Sequence, residues 1–242
     1  MSYQFIKTEF QDGLGKIILN RPPLNILNIA MMEEINDVLR SLQDNKDLKL
    51  LLFAAEGKCF SAGVDVGEHM GDQAPKMIEV FHGMFRLMDS LGAPTAASVF
   101  SSCLGGGCEL AIFCDVVIAA VNAKFGQPEI QVGVFPPIAA QLMPRIMGRK
   151  AAMDLILTGR IVSAEEALGM GLVNKVVPPD ELESATVLRL TKKAIMKGLR
   201  DDLEPSLKVI EDIYLNELMK TADANEGLKA FLEKRKPEWK NQ

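Results

Sequence analysis

The sequence predicts a fold of the α/β class, in its mixed α+β form. Three observations predict it: short apolar runs of strand length recur along the chain, stretches of helical period lie between them, and turn residues punctuate the two. At 242 residues the chain suits one large domain, or one domain with a small appendage.

The elements follow in order. Residues 5–20 alternate and then turn apolar around Asp12-Gly13, which reads as a hairpin. Pro22 and Pro23 end it, because neither can donate a ladder bond. Met32, Ile35, Val38, Leu39 and Leu42 have helical spacing, so residues 31–43 form a helix. Residues 48–54 read as a buried strand. Residues 75–91 form a second amphipathic helix, with Met77, Ile78, Phe81 and Met84 on its apolar side. Residues 95–100 and 116–121 are strands, and the chain is helical from the glycines near 105 to Cys114. Residues 138–147, 150–157 and 163–170 read as helices, the last opened by a Ser163-x-x-Glu166 capping box. A short strand ends at Val177, and from Leu188 onward the chain is helical and highly charged.

Composition excludes several functions. A net charge of −5 and a pI near 5.2 give no global attraction for nucleic acid or an anionic membrane. No apolar run approaches a membrane span, and the first residues lack the basic end and apolar stretch of a signal peptide, so the expected location is cytoplasmic. Cys59, Cys103, Cys108 and Cys114 have no zinc-type spacing and only two histidines are present. Buried thiols are expected, with no metal site. The thirteen methionines are expected to fill gaps in the core.

Chemistry concentrates in three segments. Gly105-Gly106-Gly107-Cys108-Glu109 follows a strand and opens a helix. A helix start offers unpaired N–H groups to an anion or oxyanion, although tight packing accounts for glycines equally well. Ser61-Ala62-Gly63-Val64-Asp65 makes a second small-residue turn, whose amide could serve the same oxygen; Asp65 itself reads as a helix cap. Glu129 follows Pro128, a place where most glutamates are solvated. Glu109 differs, because its apolar helix makes an unpaired carboxylate expensive to bury. Two carboxylates in one pocket can divide the handling of a water molecule. His82 and Arg86, four residues apart, read as a solvated helix face.

These segments, with Leu19-Asn20-Arg21-Pro22, Leu157-Thr158-Gly159, residues 167–173 and residues 231–236, resemble the enoyl-CoA hydratase/isomerase (crotonase) superfamily over nearly the whole chain. The resemblance implies a spiral of ββα units making two nearly perpendicular sheets in residues 1–182 and a helical C-terminal trimerisation region in residues 183–242, assembled as a trimer or hexamer. It implies an acyl-CoA substrate and no separate cofactor. The backbone N–H groups of Val64 and Gly106 would form the oxyanion hole, and the Ala62 carbonyl would bind adenine. Glu109 would orient water, while Glu129 would exchange a proton with the α-carbon. Phe231 and Lys234 would be lent by a neighbouring subunit to the adenine and the 3′-phosphate.

Retention of both glutamates favours hydration over isomerisation, decarboxylation or thioester hydrolysis. The acidic balance argues against an RNA-binding relative. Two departures point further. Pro137 stands where the family has glycine, removing a backbone donor and thickening the pocket wall. The loop Arg21-Pro22-Pro23-Leu24-Asn25 is one residue tighter than usual. Together with Glu211 to Lys220, these features resemble the cyclohexa-1,5-diene-1-carbonyl-CoA hydratases of anaerobic benzoyl-CoA degradation; a linear trans-2-enoyl-CoA is the alternative substrate. Between Leu182 and Leu188 the family carries roughly fifteen more residues, so the resemblance leaves the local architecture there open.

Overall fold

A computed structural model describes residues 3–178, 207–208 and 211–238. The expected deletion near residues 183–187, the boundary at 182/183 and most of the predicted C-terminal helical stretch lie outside the described residues.

The chain opens with the expected hairpin, β1 (Ile6–Gln11) antiparallel to β2 (Leu14–Leu19). Along β2, Gly15, Ile17 and Leu19 are buried while their neighbours are half-exposed, the alternation of a strand with one face on the core. Helix α1 (Ile29–Leu42) starts at Asn28, whose side chain accepts from the Met31 N–H at 3.1 Å. Its apolar stripe packs on α2 (Gln73–Ser90). Buried Asn36 ties the two helices together by donating to the Val80 carbonyl at 2.9 Å.

Strands β3 (Leu50–Ala55), β4 (Thr95–Val99), β6 (Val116–Ala120) and β9 (Lys175–Val177) extend the hairpin into one sheet. Its order is β1-β2-β3-β4-β6-β9, parallel from β2 onward. Near-continuous apolar runs such as Leu50 to Phe53 suit strands covered on both faces.

The second sheet that the resemblance implies is present, but its strands were not legible in the sequence pattern. β5 (Ser102–Leu104), β7 (Lys124–Gly126) and β8 (Ile161–Ser163) form it in the order β5-β7-β8. At three residues each, these strands are too short to show a period, and their pairing is wholly non-local. This sheet sets the two chemistry-bearing turns side by side, since β5 leads into α3 (Gly106–Phe113) and β7 leads into a 3₁₀ turn (Pro128–Val132).

Helices α4 (Pro137–Ile146), α5 (Arg149–Thr158) and α6 (Ala164–Gly169) follow as expected. The capping box at α6 is half-formed. Ser163 Oγ accepts from the Glu166 N–H at 3.1 Å, but the Glu166 carboxylate binds Arg160 at 2.6 Å instead of reaching back. Near the C-terminus, a π-helical turn (Ile213–Glu217) precedes α7 (Ala222–Leu232), which packs against the 3₁₀ turns Val66–His69 and Pro128–Val132.

The solvated reading of His82 and Arg86 is corrected here. His82 is fully buried, with Nδ1 2.8 Å from Glu211 Oε1, and Arg86 Nη2 pairs with the same oxygen. The C-terminal segment covers this face of α2, which the helix period alone could not reveal. No helix among the described residues is long and apolar enough to cross a membrane.

Candidate active site

The turn carrying Val64 is held by a buried hydrogen-bond cluster. Asn25, at a φ of +50°, donates from Nδ2 to the carbonyls of Glu56 and Cys59 at 2.8 and 2.9 Å. Ser61 Oγ donates to the Asn25 carbonyl at 2.7 Å. Ser61 also exchanges main-chain bonds with β5, donating to the Ser102 carbonyl at 3.1 Å and accepting from the Leu104 N–H at 3.0 Å. Residues 61–64 are thereby stitched to the start of α3.

Contact between the two turns explains the glycines. A Cβ on Gly106 would stand 2.4 Å from Val64 Cγ2, and one on Gly107 would stand 2.5 Å from Ser61 Cβ. Gly105 combines a φ of +52° with 2.7 Å from a hypothetical Cβ to Glu129 Oε1. Close approach is therefore a structural requirement of the glycine run. It coexists with free donors. Gly106 is the first residue of α3, where a helix leaves its N–H groups unpaired. Neither the Gly106 N–H nor the Val64 N–H has a hydrogen-bond partner among the described residues.

The two amides border a cavity of about 360 Å³. Glu109 enters it from α3 and Glu129 from the 3₁₀ turn; the apolar wall includes Met77, Phe81, Val134, Phe135 and Pro137. Ala62 and Val64 also line it.

The carboxylates are held differently. Glu109 is 2% exposed, and its Oε1 accepts from the Ala139 N–H at 2.8 Å. The Ile138 N–H also supports it, so the first turn of α4 serves as its anchor. Pro137, at the first position of that helix, has no N–H to add. Burial pushes the Glu109 carboxyl up to about 7, against the pull of these amides. Glu129 is raised well above the ordinary range, first by burial and then by the neighbouring Glu109 charge. Buried Gln127, with its amide nitrogen turned to the carboxylate, lies 3.2 and 3.3 Å from the two Glu129 oxygens. The solvated reading of Glu129 in isolation is thus replaced by a carboxyl turned into a shielded cavity.

The remaining expected site residues divide. Phe231 reaches the cavity from α7 of its own chain, although it is 54% exposed; the resemblance had it serving a neighbour. Lys234 is exposed, at a φ of +54°, and does not line the cavity. Asp65 acts as a cap, accepting from the Gly67 N–H at 3.0 Å, and faces Arg21 at 3.9 Å.

Three residues escaped the sequence reading. Gln127 lay inside a recognised segment but carried no signal of burial. His69 lines the cavity with Nδ1 2.9 Å from the Asp65 carbonyl, and burial lowers its affinity for a proton. Tyr214 joins the cavity from the π-helical turn, more than a hundred residues after Glu109.

Known proteins resemble this chain over its length. A Mycobacterium bovis protein named "Probable enoyl-CoA hydratase echA8" is 39% identical over 256 residues, covering 99% of both chains. That alignment is longer than this chain, so the relative carries residues that this one lacks. The cyclohexa-1,5-dienecarbonyl-CoA hydratase of Thauera aromatica is 37% identical, over 96% of this chain and 95% of its own. Among solved structures, an enoyl-CoA hydratase from Mycobacterium avium subsp. paratuberculosis superimposes with a TM-score of 0.84 at 28% identity, over 98% of this chain and 99% of its own. The family described as enoyl-CoA hydratase/isomerase matches residues 9–242. The chain therefore belongs to the enoyl-CoA hydratase/isomerase family.

Proposed function

We propose that the protein is an enoyl-CoA hydratase, adding water across the double bond conjugated to a CoA thioester. The observation that carries this reading is the pairing of two unbonded amides, on turns that touch, with two carboxylates that face one cavity and are both held above the ordinary carboxylate range.

The chemistry follows from that pairing. Attack of water oxygen on the β-carbon forms a C–O bond and moves the alkene electrons toward the thioester oxygen. The Val64 and Gly106 N–H groups stabilise that oxyanion, and each such donor is worth about 10²- to 10³-fold in rate. Glu109, near 7, is ionised in part at neutral pH and takes the proton that the attacking water sheds. Glu129, pushed higher, holds its proton and delivers it to the α-carbon as the enolate collapses. In this proposal Ala62 receives the adenine through its carbonyl, Phe231 flanks it, and Lys234 takes the 3′-phosphate. Trimeric or hexameric assembly, measurable by light scattering, belongs to the same reading.

The acyl group we assign is cyclohexa-1,5-diene-1-carbonyl, hydrated to 6-hydroxycyclohex-1-ene-1-carbonyl-CoA in anaerobic aromatic degradation. Support comes from Pro137 at the cavity, from the aromatic wall of Phe81, Phe135 and Tyr214, and from the Thauera relative. A linear enoyl-CoA is the second reading, favoured by a relative named crotonyl-CoA hydratase from Syntrophomonas wolfei, 36% identical over 98% of this chain and of its own. Incubation with the cyclic dienoyl-CoA and crotonyl-CoA side by side, following water addition, decides between them. Preference for the linear substrate removes the cyclic assignment, and turnover of neither removes the hydratase.

A further inference from the structure

Besides the two glutamates, the cavity is lined by the polar side chains of His69, Gln131 and Tyr214, and the first two are tied to the Asp65 and Gly159 carbonyls; Tyr214 has no such tie. It is 1% exposed, yet lines the cavity together with Glu109 and Glu129. Its ring meets Phe135 edge-on, with centroids 5.3 Å apart at 74°. Its hydroxyl has no hydrogen-bond partner among the described residues. The hydroxyl is not sealed in the core but opens on the cavity, where an acceptor bound in the site can take its hydrogen bond. Burial first, and then the charges of Glu109 and Glu129, hold this phenol protonated, which places it in the same electrostatic field as the reacting groups. A protonated phenol beside two carboxylates that it does not directly bond is matched to an oxygen lying between them.

The backbone points the same way. Tyr214 sits in the π-helical turn Ile213–Glu217, a rare geometry that is frequent at functional sites. One turn earlier, Glu211 is clamped to α2 by buried His82 and by Arg86. That clamp fixes the segment against the helix that also supplies Phe81 to the cavity.

We propose that Tyr214 is a third catalytic residue, its hydroxyl donating a hydrogen bond to the reacting oxygen, first as the water added to the β-carbon and then as the product hydroxyl. Glu211 is the positioning residue that holds it there. The inference rests on the hydratase reading and adds a group to it.

The test is Tyr214→Phe, which keeps the ring and its packing. Turnover of wild type on a conjugated acyl-CoA is measured first, and its absence removes the hydratase reading itself. With wild type active, the variant is expected to lose about 10- to 100-fold in kcat with KM little changed. Binding separates a hydrogen bond from a change of shape. In a Glu129→Gln background, where turnover is stopped, Tyr214→Phe is expected to weaken 3-hydroxyacyl-CoA about tenfold while saturated acyl-CoA binds as before. Equal effects on the two ligands, or none on either, overturn the proposal. Glu211→Gln is expected to lower kcat in wild type but to add almost nothing in the Tyr214→Phe background. Additive losses would show that Glu211 acts elsewhere.

Discussion

Glu109 and Glu129 face one cavity from two regions built on opposite plans. Glu109 projects from a regular helix and is gripped by the N-terminal amides of another, so both ends of its support are rigid. Glu129 rides on a single 3₁₀ turn and has one buried amide side chain, Gln127, beside its carboxyl. Both lose solvent and both are raised, but Glu109 is answered by backbone donors from the first turn of α4, whereas Glu129 meets the Glu109 charge as well. Identical side chains are thereby made unlike by their surroundings, as acid–base chemistry at neutral pH requires.

The sharpest way to break this contrast is to remove each carboxylate. Glu129→Gln is expected to lower kcat by about 10³- to 10⁴-fold and Glu109→Gln by about 10²- to 10³-fold, read by steady-state hydration. Exchange of the α-proton with deuterated water should be lost in the Glu129 variant first. If the Glu109 variant loses exchange more completely, the two roles are reversed.

The shared donor comes next. Gly106→Ala places a methyl 2.4 Å from Val64 Cγ2 and 3.1 Å from Phe81 Cζ, so the two turns must part. A loss of about 100-fold in kcat is expected. Gly169→Ala, where a Cβ meets nothing within 4 Å, serves as the control and should retain activity. Equal losses in both would dismiss the amide pair.

Stability against pH gives a third test, with the sign fixed by the raised carboxyl. Folded Glu109 keeps its proton up to about 7, whereas the unfolded group releases it near 4.5. Folding therefore binds a proton between those values, and stability falls as pH rises through that window. Glu109→Gln removes this slope, so the variant should gain ~1–3 kcal/mol on wild type at pH 8 relative to pH 4 in denaturant titrations. Parallel curves would mean that the carboxyl is not destabilised by burial.

The smallest effect is assigned to Gln127. Gln127→Leu removes the amide that favours ionised Glu129, so the Glu129 limb of the pH–rate profile should move upward, with kcat changed only severalfold. A downward shift would show that the amide's oxygen, not its nitrogen, faces the carboxylate.

Much of this architecture is local and was readable as such. The hairpin around Asp12-Gly13, the amphipathic helices α1 and α2, the Asp65 cap and the buried strands all follow from periods and turn chemistry within short windows. Glu109 announced itself because a carboxylate in an apolar helix is anomalous. His82 and Arg86 misled for the converse reason. Their polar helix face is covered by Glu211, 129 and 125 residues away, and no window along the chain contains that contact.

The amino-acid order by itself determined the class of fold, the two small-residue turns and the pair of acids. Each is a property of neighbouring residues, expressed through backbone sterics, side-chain period or the cost of burying a charge. Tertiary structure alone decided which three strands of three residues form the second sheet, that the first turn of α4 grips Glu109, and that Tyr214 and Phe231 return to the cavity. Those outcomes depend on contacts between distant segments, whose energies arise only once the main sheet and its helices have enclosed a common core.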